Sequence, residues 1–290
     1  MALNLQVFKT RTLTAVIFVA VMLAGLFYNQ WSFLILFSVI HFGCWIEYQR
    51  IIALIEPEYK KTTPFHRNVI MLLGWCFVLL NTSRTYQIGH IAVKGIGWYG
   101  LQLCTILFCL NEVVLKKQLN LKVVSYSLAG LVYISLSWGL MMQLWGISAN
   151  LNDGITTPGY LLPIILIASI WINDTMAYLV GSFIGKTPLS SISPKKTIEG
   201  TAGGAVLAVV AVTLGCKYLF HIDNIKLLLI ISATAAIVGT LGDLLESKLK
   251  RMAGIKDSGQ IMPGHGGFLD RFDSLLLATP FVWLLIEVLR

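Results

Sequence analysis

The chain has 290 residues, 56% of them hydrophobic and 12% charged, with a mean hydropathy of +0.76. Such a composition excludes an ordinary soluble domain and places the chain in a bilayer. The net charge of +8 raises the question of nucleic acid, but Lys and Arg are scattered through short loops between apolar runs. They read as topology signals and contacts with anionic headgroups of membrane lipids, and no nucleic-acid partner is expected.

In chain order, Lys9 and Arg11 precede the apolar run Leu13 to Tyr28 without a small-residue cleavage site before Trp31, so this segment reads as a retained first span. Apolar runs then predict spans at about 12–28, 31–48, 68–81, 96–112, 125–146, 160–183, 201–220, 226–247 and 271–289. None alternates with a strand-like period, so the expected fold is all-α, a polytopic transmembrane helical bundle of about nine spans. With the N-terminus in the cytoplasm, only Arg84, Lys94, Lys217, Lys226 and Arg290 of the 22 basic residues fall on the far side, in agreement with the positive-inside rule. Residues 1–290 are expected to form a single integral membrane domain. Cys44, Cys76, Cys104, Cys109 and Cys216 lie in apolar runs without metal-type spacing and read as small hydrophobes.

Residues 1–150 contain few intramembrane charges and read as a helical scaffold, whereas 151–290 carry the chemistry and read as the catalytic half. Asp174 falls deep in the sixth span, where an acid costs about 2.5 kcal/mol or more unless it faces a wet cavity or a partner. A polar pocket shared with Asn173, Thr175 and Tyr178 is therefore expected, with a structural interhelical hydrogen bond as the competing explanation. Lys186, Lys195 and Lys196 bracket a non-helical loop of Gly, Pro and Ser suited to oxyanions, although basic loops are common in membrane proteins.

Asp243, Glu246, Ser247 and Lys250 recur at i, i+3, i+4 and i+7 on one helix face. Asp270 and Asp273 are three apart and are expected in the first turn of the last helix, where its partial positive end favours ionised acids. Between them lie Lys256, Gly259, Gly264, His265, Gly266 and Gly267. Carboxylates at two helix ends joined by such a loop can cage a hard cation, since Mg²⁺ takes oxygen ligands and keeps water and substrate phosphates. Gly266 and Gly267 would let backbone amides approach a phosphate. His265 has no second His or Cys to complete a transition-metal set, which leaves it phosphate contact or loop shaping.

The segment Ser247 to Asp273 resembles the signature of the phosphatidate cytidylyltransferases, or CDP-diacylglycerol synthases. Ser247, Leu249, Lys250-Arg251, Lys256-Asp257, Gly259, Pro263, His265-Gly266-Gly267, Phe268, Asp270-Arg271 and Asp273 are in register, with Met262 as a conservative departure. Asn173-Asp174-Thr175 through Tyr178, and Ser193-Pro194-Lys195-Lys196-Thr197 through Glu199-Gly200, are similar to the same family. The resemblance implies transfer of a cytidylyl group from CTP to phosphatidic acid with release of pyrophosphate. It implies Mg²⁺ on Asp243, Asp270 and Asp273, beside which a monovalent cation such as K⁺ is admitted. Lys256 and His265 join these acids in the implied catalytic set. Asn173, Asp174, Lys195, Lys196, Glu199, Ser247, Lys250, Arg251, Gly266, Gly267 and Arg271 form the implied substrate-binding set. A homodimer is a further implication of the resemblance, while the charge count and the cytoplasmic supply of CTP place the site on the cytoplasmic side, in what is expected to be the inner (plasma) membrane. The competing readings are a CTP-dependent transferase or kinase acting on another membrane lipid, and a transporter with a midplane site at Asp174.

Overall fold

A computed structural model describes residues 5–115, 119–147, 158–260 and 266–289, with side chains from residue 12 onward except that of residue 115. The elements are α1 (Leu5–Phe27), α2 (Gln30–Ile55), α3 (Pro57–Lys60), α4 (Pro64–Leu80), the short hairpin β1 (Gln87–Ile88) and β2 (Ile91–Ala92), α5 (Val93–Cys109), α6 (Leu121–Gly130), α7 (Leu136–Gly146), α8 (Leu161–Ile184), α9 (Ile198–Leu219), α10 (Ile225–Met252) and α11 (Leu269–Leu289). The protein is an all-α integral membrane protein. Each of the nine expected spans coincides with an apolar helix. Among the described residues, seven helices have the length and composition to cross a membrane, counting Val93–Val114 and Leu121–Gly146 as continuous through their π-helical turns, while Thr12–Phe27 and Pro64–Leu80 are shorter.

The chain forms two compact units, one of residues 1–142 with 249–272 and one of residues 143–248 with 273–290. In the first, Asn29 opens α2 by accepting from the Ser32 amide at 2.9 Å, while the Ser32 hydroxyl accepts from the Asn29 amide at 3.1 Å. Such reciprocal capping satisfies two amides that the helix itself cannot. The core is aromatic: Phe37 lies 5.1 Å from Trp138, and Trp138 meets Phe272 edge-on at 5.7 Å.

Two π-helical stretches, Leu110–Leu115 and Leu131–Ser135, interrupt the α geometry of this unit. Each contains a polar residue with a buried partner. Glu112 contacts His66 Nδ1 at 2.7 Å, and His66 Nε2 contacts Ser127 at 2.9 Å. Ser135 meets His41 Nε2 at 3.1 Å and accepts from Trp45 Nε1 at 2.9 Å. A π bulge inserts one residue into the turn and re-aims its side chain, which suits polar groups that must find partners away from water.

In the second unit, α8 and α9 meet along a seam of small residues. A Cβ at Gly204 would lie 2.6 Å from the Ala177 amide nitrogen, and one at Gly200 would lie 2.7 Å from the Ala177 carbonyl oxygen. Membrane helices lack a hydrophobic force between them, so such seams bring backbones close enough for dispersion to act. The α10–α11 contact is similar, because a Cβ at Gly242 would lie 2.6 Å from the Asp273 carbonyl oxygen. Gly204→Val should force α8 and α9 apart and destabilise the protein by about 1–3 kcal/mol. A thermal midpoint equal to that of the wild type in detergent would contradict the seam.

Candidate active site

In the second unit, a cavity of about 430 Å³ opens between α8, α9 and α10, lined by Asn173, Asp174, Tyr178, Lys195, Lys196 and Asp243 among others. The loop 185–197 is held over it by its own backbone: the Leu189 amide donates to the Lys196 carbonyl at 2.7 Å, and the Ile198 amide to the Thr187 carbonyl at 2.9 Å. Thr197 then caps α9, accepting from the Gly200 amide at 3.1 Å. Glu199, in the first turn, accepts from the amides of Lys186 at 3.1 Å and Thr187 at 3.2 and 3.1 Å. Its carboxylate therefore ties the loop to the helix start, favoured there by the helix dipole.

The loop delivers Lys196 into an ion pair with Asp243. Asp243 also accepts from the Ser247 hydroxyl at 3.2 Å, one helical turn on. Asp174 interacts electrostatically with Lys196 and Asp243. Asp273, only 8% exposed, accepts from the Ser274 amide at 2.6 Å and interacts with Asp243, Glu246 and Asp174. Asn173 is 2% exposed, and its carboxamide oxygen has no hydrogen-bond partner. Thr175 does not join this group; its hydroxyl donates back to the Trp171 carbonyl at 2.8 Å.

In the first unit, Gly254 at φ +69° ends α10 and turns the chain toward Ser258. Asp270, in the first turn of α11, accepts at Oδ2 from the amides of Gly267 and Ser258, both at 2.8 Å, and its Oδ1 accepts from Lys250 at 2.6 Å. Gly266 has φ +81°, and a Cβ there would meet the Asp270 carboxylate, so glycine is required on both counts. Arg251, Lys256 and Arg271 are exposed, and Arg251 donates to the Ile255 carbonyl at 3.5 Å. His265 lies outside the described residues.

Sequence reasoning did not find Glu47 of α2, which is 5% exposed. It accepts from the Phe268 amide at 2.9 Å, the Leu269 amide at 2.8 Å and the Ser258 hydroxyl at 2.7 Å. Its signal in the sequence is a lone acid inside an apolar span, the same signal that drew attention to Asp174.

Among the described residues, no three His, Cys, Asp or Glu side chains converge as a ready metal cluster. The groups at the cavity nonetheless fit a cation, since Asp174 and Asp243 line it together, Asp273 interacts with both, and Lys196 pairs with Asp243. Oxygen donors of this kind match a hard divalent ion.

Residues 9–289 match the family described as the cytidylyltransferase family. The chain is 34% identical to the phosphatidate cytidylyltransferase of Bacillus subtilis over 248 residues, covering 82% of this chain and 84% of that protein. It is 30% identical to the enzyme of that name from Staphylococcus saprophyticus over 286 residues, covering 96% and 98%. The Synechocystis protein of the same name is 36% identical over 210 residues, covering 63% and 69%.

Glu199→Ala should release the amides of Lys186 and Thr187 and loosen the loop. Faster tryptic cleavage at Lys186, Lys195 and Lys196, with little change elsewhere, is the expected result. Unaltered cleavage would mean that the backbone pairing alone holds the loop.

Proposed function

This chain belongs to the cytidylyltransferase family, and we propose that it transfers the cytidylyl group of CTP to phosphatidic acid, giving CDP-diacylglycerol and pyrophosphate. The observation that carries the site assignment is the cavity of the second unit, where Lys195 and Lys196 face Asp174, Asp243 and the unpartnered Asn173 oxygen. Ammonium groups beside clustered carboxylates suit a nucleotide triphosphate with its cation.

In the reaction, an oxygen of the lipid phosphate attacks the α-phosphorus of CTP. The bond from that phosphorus to the oxygen bridging to the β-phosphate breaks, and the electron pair leaves with pyrophosphate. A phosphate monoester has its second pKa near ~6, so the attacking oxygen is already ionised at neutral pH and needs no strong base. Positioning and charge neutralisation then supply most of the catalysis, and no covalent intermediate on the protein is required.

Asp243 and Asp273 are the groups of the second unit that would hold Mg²⁺, while Asp270 is assigned to the metal by the signature resemblance alone. Bound there, Mg²⁺ would neutralise the developing charge on the triphosphate. Lys195 and Lys196 bind phosphate oxygens, Lys196 from its position beside Asp243. Asn173 supplies a neutral acceptor to the bound substrate. Lys250, Arg251, Lys256 and Arg271 contribute positive charge at the signature segment, and Gly266 and Gly267 permit close approach of the backbone. Tyr178, 76% exposed on α8, and the neighbouring exposed Leu179 and Phe183 mark the face from which acyl chains enter. The bacterial relatives and the positive-inside pattern support a plasma-membrane location with this site facing the cytoplasm.

Purified protein in detergent should release pyrophosphate only when CTP, Mg²⁺ and phosphatidic acid are all present. Asp243→Asn and Asp273→Asn should each lower kcat by about 100-fold or more, the scale of losing one preorganised charge interaction. Folded wild-type protein that releases no pyrophosphate would overturn the reading. Asp174→Ala with unchanged turnover would remove the cavity from the lipid's path while leaving the reaction itself standing.

A further inference from the structure

The carboxylate of Glu47 occupies a pocket made almost wholly of signature-segment backbone. Both oxygens are engaged, Oε1 by the Phe268 amide and Oε2 by the Leu269 amide and the Ser258 hydroxyl. Those amides belong to the opening turn of α11, which no intrahelical acceptor can satisfy. A helix start normally finds its acceptor in a neighbouring side chain of the same loop. Here the acceptor comes from a helix 221 residues earlier in the chain.

The glycines of the segment record how close this approach is. A Cβ at Gly259 or at Gly267 would meet the Glu47 carboxylate itself, and one at Gly43, one turn earlier on α2, would meet the Phe268 ring. Gly43 and Glu47 thus form one face of α2 on which the segment seats, ring over Gly43 and amides on Glu47. At Gly267 the close approach of Glu47 is a reason for glycine distinct from any phosphate contact.

Ser258 joins this carboxylate to that of Asp270. Its hydroxyl oxygen lies 2.7 Å from Glu47 Oε2 and 2.8 Å from Asp270 Oδ2, and it accepts from the Asp270 amide at 3.3 Å. The one hydroxyl proton lies between two carboxylate oxygens, so Ser258 links the two acids. The Asp270 carboxylate is fixed on its other side by Lys250. Moving Glu47 therefore moves the start of α11 and one of the anchors of Asp270 together.

We propose that Glu47 is a positioning residue for cytidylyl transfer, holding the first turn of α11 directly and the Asp270 carboxylate through Ser258. The role rests on the transferase reading above, and it assigns to the N-terminal helices a part in the chemistry. Glu47→Gln keeps the volume but points an amide N–H at one of three donors, so at least one of them loses its acceptor.

The test compares the full-length wild type with Glu47→Gln, Ser258→Ala and the double variant, by pyrophosphate release and by hydrogen exchange of the peptide spanning 266–272. Displacing a reacting constellation by about 1 Å costs on the order of 100-fold, so kcat of Glu47→Gln should fall by about that factor. KM for CTP should stay within about twofold, as expected when ground-state binding is untouched. Exchange in 266–272 should quicken by about tenfold while other peptides stay unchanged. Ser258→Ala should lower kcat in the same direction, and the double variant should fall no further than the worse single one, since both changes break one network. Wild-type kcat and exchange in Glu47→Gln would overturn the proposal, as would a lowered thermal midpoint with kcat intact below it. If Glu47→Gln does not fold, Ser258→Ala decides alone, and its wild-type kcat would overturn the proposal. If the wild type itself shows no transfer, the functional reading fails, and the positioning role in transfer falls with it. Quickened exchange in Glu47→Gln would then still separate a real loop clamp from no clamp at all.

Discussion

An acid inside an apolar helix persists only if donors or cations surround it, and the architecture of this protein is organised around meeting that demand. Glu47 meets it with two backbone amides and a hydroxyl, Glu112 with His66 and Asn111, and Asp270 with two amides and Lys250. Asp243 takes Lys196 and Ser247. The arrangement differs between these sites in a way that matters. Glu47 is held by backbone amides and a hydroxyl and acts as a structural clamp, whereas Asp243 shares an open cavity with Asp174, Lys195 and Lys196.

Small residues make these approaches possible. Backbone amides reach Glu47 because Gly259 and Gly267 carry no Cβ, and α11 comes against α10 at Gly242, beside the acid pair Asp243 and Asp273. The same device sets α8 against α9, so that the loop leaving α8 returns within hydrogen-bonding distance of its own helix start and presents Lys195 and Lys196 to Asp174. Glycine in a helix costs about 0.5–1 kcal/mol relative to alanine, and the cost is offset here by contacts no larger residue would allow.

Much of this was legible before any coordinates. The apolar runs located every helix that the structure contains at spanning length, and Asp270 does open the last of them. The depth of Asp174 in its span pointed to a polar cavity, and the structure adds the lysines that face it. Thr175 went the other way, because a threonine in a helix can satisfy its hydroxyl on the carbonyl four residues back. The count of spans was less legible, since Pro64–Leu80 is only 17 residues long and length is the criterion at issue. Glu47 stood out only as a lone acid in an apolar run, and its role was not legible. Its partners are backbone amides of a distant segment, and an amide has no letter in the sequence.

That last point bears on how the two halves of such a chain divide the labour. A signature rich in glycine is flexible in isolation, and flexibility is the wrong property for a site whose catalysis rests on preorganised charge. The segment 249–272 belongs to the same compact unit as the N-terminal helices, and the contact that orders its helix start is made by one of them. On the proposed reading α2 seats the start of α11 and Ser258, so the N-terminal helices cannot be exchanged for arbitrary apolar spans without loss. The requirement is a specific one: a small residue and an acid one turn apart, facing the segment, on a helix rigid enough to hold them.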